Sequence, residues 1–194
     1  MLGAAGVYVA LPEPLSIGPS WGLLAIMLVL LTGMTVAYRR GRYDISRILT
    51  FVASGLITLA LIIALIFLIQ GIPQHRETPR ILLRSASALW LTNVLVFALW
   101  YWKLVAGGPL KRETRIGRMD SSFLFPQMLS QEDGDPSWSP HFMDYLFLAF
   151  NTSTAFSPAD TAPLTRWAKM GMMLQSLISL MIVLVIAARA VNIL

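Results

Sequence analysis

Residues 141–165 read HFMDYLFLAFNTSTAFSPADTAPLT. The stretch opens apolar, turns polar at Asn151, Thr152, Ser153 and Thr154, and breaks at Ser157-Pro158. Proline lacks a backbone donor and clashes with the preceding turn, so a helix expected over 142–156 stops there. A second apolar run, 167–188, follows at once. A spanning helix needs about 20 apolar residues, and the first run falls short. A short helix ending in hydroxyls beside a full span reads as a half-span or re-entrant segment lining a wet cavity.

The composition agrees with immersion in lipid. The chain of 194 residues is 56% hydrophobic and 13% charged, against about 45–50% and about 25% in soluble domains. Mean hydropathy is +0.67. The net charge of +5 is no nucleic-acid signal, because its arginines sit in short loops between apolar runs, as membrane topology requires. The chain has no cysteine and only His75 and His141 as histidines, so neither a thiolate nor a multi-histidine metal site is expected.

Working outward, three further spans are expected, at 21–37, 48–70 and 81–102. The first ends in the basic, aromatic loop Tyr38-Arg39-Arg40-Gly41-Arg42-Tyr43, typical of a headgroup boundary. In the third, Arg84 can snorkel to the interface. Asn93 lies near mid-span and is costly facing lipid, so a bond to another helix is expected, with Gln175 as the preferred partner. Trp90, Trp100, Tyr101 and Trp102 include the aromatic belt. The long loop 106–140 is basic at its start and acidic at its end, and carries an apolar patch at Phe123, Leu124, Phe125 and Pro126. That patch is expected to dock on the membrane surface or on the bundle. The apolar stretch 1–12 is too short to span. It reads as an interfacial segment or as the surviving end of a longer helix. The fold expected is an all-α polytopic transmembrane bundle, one domain over 1–194, in the cell (inner or plasma) membrane.

Most of the chain resembles a family of uncharacterised bacterial integral membrane proteins. The matching stretches are LPEPLSIGPSW (11–21), LWLTNVLVFALWYWKL (89–104), GGP (107–109), FLFPQM (123–128), DYLFLAFNTSTAFSPADTAPLTRWAKMGMM (144–173) and ARAVNIL (188–194). The resemblance implies the same membrane fold and carries no activity. Members have more apolar sequence before the LPE stretch, which favours the truncated first helix. Locally, residues 154–165 resemble the potassium-channel pore loop, T-V-G-Y-G-D-x-x-P-x-T after a short pore helix. Asp160, Pro163 and Thr165 match its spacing. The filter differs: Ala155-Phe156-Ser157-Pro158-Ala159 is one residue longer and holds no glycine. Glycine gives unstrained access to the positive-φ backbone that aims successive carbonyls at one axis. Pro158 fixes φ near −65° and cannot replace it.

Topology bears on the short helix. Positive-inside counting makes the loop of Arg39, Arg40, Arg42 and Arg47 and the loop of Lys111, Arg112, Arg115 and Arg118 both cytoplasmic. A re-entrant segment would then enter from the cytoplasm and leave the C-terminus outside. A crossing segment would put 157–165 outside and the C-terminus inside. The half-span version is preferred, because Asp144 and a polar end make 142–156 a poor span.

Gln175, Ser176 and Ser179 form a polar stripe at helical spacing on the last span. Pore-lining candidates are therefore Thr152, Ser153, Thr154, Ser157, Asp160, Gln175 and Ser179. The first reading of Asp160 is nonetheless a helix N-cap or an Asx turn, and that of the Thr152–Thr154 hydroxyls is bonding back to their own helix; lining is the second. Enzyme motifs are absent from the sequence, so no catalytic residue, metal or cofactor is expected. The function expected is an ion-channel-like pore module for a small ion or solute. The alternative is a non-conducting membrane scaffold or accessory subunit whose long loop recruits a partner. A transporter ranks third. Its partners are the lipid bilayer and, for so short a chain to enclose a path, further copies in a homo-oligomer.

Overall fold

The computed structural model describes residues 22–71, 79–104, 122–128, 138–155 and 160–191. The 1–12 stretch, the loop around His75, most of the 106–140 loop and Ser157-Pro158 lie outside the described residues. Among those described are five α-helices: α1 Gly22–Arg39, α2 Tyr43–Gly71, α3 Pro79–Leu104, α4 Phe142–Thr154 and α5 Arg166–Val191. A strand pair joins β1 Phe123–Leu124 to β2 Ala162–Pro163. Four of the helices, all but α4, are long and apolar enough to cross a membrane. Their uncovered faces carry residues such as Val29, Met170 and Met173, which are 69%, 70% and 71% exposed. Water does not tolerate so much contiguous apolar surface. The protein is an all-α, multi-pass membrane protein of the helical-bundle class.

The chain forms two compact units, Met1–Val96 with Met181–Leu194, and Phe97–Leu180. In the first, α1 and α2 form a helical hairpin. Its turn is a Schellman C-cap: Gly41 N–H donates to the Tyr38 carbonyl (3.1 Å) and Arg42 N–H to the Ala37 carbonyl (2.9 Å). Gly41 takes φ +72°, which a side chain would strain. Beyond the turn, the Tyr38 and Tyr43 rings meet edge-on at 5.4 Å, and Leu49 lies against Gly33. These contacts pair positions equidistant from Gly41, so the helices run antiparallel. The core face of α2 repeats at three and four residues through Thr50, Ser54, Ile57, Leu61, Ala64 and Leu68. Hydroxyls on these helices bond back to carbonyls one turn earlier: Thr32 to Leu28 and Val29, Thr50 to Ser46, Thr58 to Ser54, and Thr92 to Ala88. No hydroxyl of that set is then bare in hydrocarbon.

In the second unit the loop patch docks on the helices rather than on the membrane surface. β1 pairs antiparallel with β2, Phe123 opposite Pro163 and Leu124 opposite Ala162. The buried Phe123 ring meets Tyr101 at 5.1 Å and Tyr145 at 6.4 Å. Phe125 meets Tyr145 at 5.3 Å and Trp138 at 6.0 Å. Trp102, near the end of α3, meets Phe142 at the start of α4 at 5.5 Å. Edge-to-face pairs of this kind add about 0.5–1.5 kcal/mol each beyond their burial.

The contacts of α4 with α5 fix its direction. Ala149 and Ser153 bond Gln175, Thr152 bonds Ser176, and Ser153 bonds Ser179. Later residues of α4 meet later residues of α5, so the two helices run the same way. A helix crossing fully would be followed by one running back. Here α4, of 13 residues, descends about 20 Å and stops beside the middle of α5. The same contacts put the start of α5 near the level where α4 began.

Two measurements check this architecture. Gly41→Ala is expected to cost about 1–2 kcal/mol, all of it backbone strain, because an added Cβ meets nothing within 4 Å; thermal unfolding followed by circular dichroism in detergent reads it. Single cysteines at Ser139 and Arg166, in a chain with no other cysteine, are expected to react with an impermeant maleimide from the same side of the membrane. Labelling from opposite sides would mean that α4 crosses.

Candidate functional site

The N-terminus of α4 is fixed by its own sequence. The Asp144 carboxylate accepts the His141 backbone N–H at 2.6 Å and lies in the first turn, where negative charge complements the helix dipole. Asp144 thus caps its own helix. One face, Tyr145, Leu148, Ala149, Thr152 and Ser153, is buried. On α5 the matching stripe is Ala168, Met172, Gln175 and Ser179.

Gln175 is the node between them. Its Nε2 donates to the Ala149 carbonyl (2.7 Å) and to Ser153 Oγ (2.8 Å). Its Oε1 accepts the Tyr101 hydroxyl (2.6 Å). Ser179 Oγ donates to the Ser153 carbonyl (2.6 Å), and Ser176 Oγ reaches the Thr152 carbonyl at 3.4 Å. The last carbonyls of a helix have no partner within it. Where α4 ends, α5 side chains supply donors that water would supply at a surface. Gly171 lies beside Tyr101: a Cβ there would meet Tyr101 Cε1 at 3.5 Å, an ordinary van der Waals contact.

The candidate residues fall into distinct places. Thr152, Ser153, Gln175 and Ser179 come together and are at most 1% exposed. Thr152 also donates to the Leu148 carbonyl at 2.8 Å. Thr154 is exposed, its hydroxyl donating to the Phe150 carbonyl at 2.7 Å. Asp160 is exposed in a turn. The N-cap of α5 is Thr165, whose Oγ1 accepts the Ala168 N–H at 3.4 Å, not Asp160. Ser157 lies outside the described residues. Asn93 is fully buried, in the other unit. Tyr101 is the residue missed from sequence. It sits in a Trp-Tyr-Trp run that reads as interfacial belt, yet it is fully buried and turned toward Gln175. Its partner is 74 residues away, and no local signal announces it. Among the described residues no three His, Asp or Glu side chains gather as a metal site would require.

The chain matches no protein-family model, no curated protein and no solved structure.

Removing donors should loosen the α4–α5 contact in graded fashion. Ser179→Ala is expected to cost about 1 kcal/mol and Gln175→Leu about 2–3 kcal/mol, since the latter strands several buried partners at once. A double-mutant cycle of Tyr101→Phe with Gln175→Leu, read by thermal unfolding, should return a coupling of about 1 kcal/mol.

Proposed function

We propose that the protein is a pore-type membrane module, acting as a homo-oligomer in which the end of α4 and the returning segment line a polar path for a small ion or solute. One observation carries this reading: α4 ends beside the middle of α5, and α5 begins near the level where α4 began. Irregular backbone at membrane depth is tolerated only where it is buried in protein or borders water. The exposed residues there, Thr154 and Asp160, are then the lining groups. Thr152, Ser153, Gln175 and Ser179 hold the α4–α5 pair in place from behind, being buried and bonded to one another or to backbone. The helix dipole places partial negative charge at the C-terminus of α4, which suits a cation.

A second reading, a non-conducting scaffold or accessory subunit, is favoured by how completely that polar set is sealed. Its recruiting element would be the loop that runs from basic to acidic residues between Lys111 and Asp135.

Flux through proteoliposomes separates the two. The pore reading expects ion or solute flux above protein-free vesicles, reduced several-fold by Thr154→Val and by Asp160→Asn at unchanged folded yield. Absence of flux, with co-purifying protein lost on neutralising Lys111, Arg112, Arg115, Arg118, Glu132, Asp133 and Asp135 while residues 122–128 are kept, would establish the scaffold instead.

A further inference from the structure

The face of α5 beside the Gln175 node carries an open groove of about 690 Å³. Lys169, Met172, Met173, Leu177 and Leu180 of α5 and Pro163 of β2 line it, with Thr152 and Ser176 as its uncharged polar residues. From Lys169 to Leu180 the helix rises about 16 Å, close to one leaflet of a hydrocarbon core about 30 Å thick. Lys169 is exposed and stands one turn from Arg166 and Trp167, where α5 begins. A lysine there keeps its ammonium at the headgroups while its stem covers apolar surface. The groove is thus cationic at the headgroup end and apolar down to mid-bilayer.

We propose that this groove is a binding site for one anionic phospholipid of the leaflet in which α5 begins, with its phosphate paired to Lys169 and an acyl chain along Met173, Leu177 and Leu180. Charge complementarity and the match of length select this occupant over a second copy of the chain, which would have to bring its own anion to Lys169. The proposal depends on membrane immersion, not on conduction.

Native mass spectrometry of the full chain in detergent, titrated with phosphatidylglycerol and phosphatidylcholine of identical acyl chains, tests it. One cation near the headgroups is worth about a fivefold preference for the anionic lipid. That preference should persist in Lys169→Arg and fall to near unity in Lys169→Gln. Leu177→Trp, which fills the groove, should lower the bound fraction of both lipids. Circular dichroism checks that each variant is folded. Three results would overturn the site. Lys169→Gln could retain the preference, which would assign it to the arginines of the α1–α2 turn. Leu177→Trp could leave lipid binding unchanged. Or the wild type could bind neither lipid while Leu177→Trp abolishes a dimer, which would give the groove to a second copy.

Discussion

A helix that ends inside a membrane leaves carbonyls with no water to accept from, and each unsatisfied group there costs several kcal/mol. The parallel α4–α5 pair is built around that constraint. Ser179 donates to the Ser153 carbonyl, Ser176 reaches the Thr152 carbonyl, and Gln175 adds a bond to the Ala149 carbonyl. In effect the C-cap of α4 is supplied by a neighbouring helix rather than by the residues that follow it. The spacing of Gln175, Ser176 and Ser179 on one stripe of α5 is what makes this geometry available.

Holding the end of α4 in place requires that its other end and the return path be fixed too. The aromatic cluster serves both. Phe123 and Phe125 fill the space against Tyr101 and Tyr145, and β1 pins the returning segment by pairing with β2. Tyr101 links the two systems, because its ring packs on Phe123 while its hydroxyl bonds Gln175. The polar residues of the α4–α5 pair consequently divide. One set is structural and dry, and Thr154 and Asp160 face outward and remain accessible.

The first unit obeys the same rule by simpler means. The hydroxyls of Thr32, Thr50 and Thr58 return to their own helices, and the tight turn at Gly41 satisfies the end of α1. In this hairpin the charged residues Arg39, Arg40, Arg42, Asp44 and Arg47 cluster at and just after the turn, beside Tyr38 and Tyr43, as residues at a headgroup boundary do. Both units thus solve one problem, the backbone group without water. In the α1–α2 hairpin it is solved by the Gly41 turn, and in the α4–α5 pair by side chains of α5.

The four long helices, the short helix before the last and the break that follows it are legible in the sequence, because length and hydropathy are local properties that lipid reads directly. So is the polar stripe of α5, because helical spacing alone puts Gln175 and Ser179 on one face. The arrangement of these pieces belongs to the tertiary structure. That α4 runs parallel to α5, that the Phe123–Pro126 patch docks on the helices, and that Tyr101 turns inward to Gln175 all rest on contacts between residues distant in the chain. Whether a hydroxyl such as that of Ser153 or Thr154 ends sealed or exposed depends on which neighbour reaches it, and no single stretch of sequence contains that neighbour.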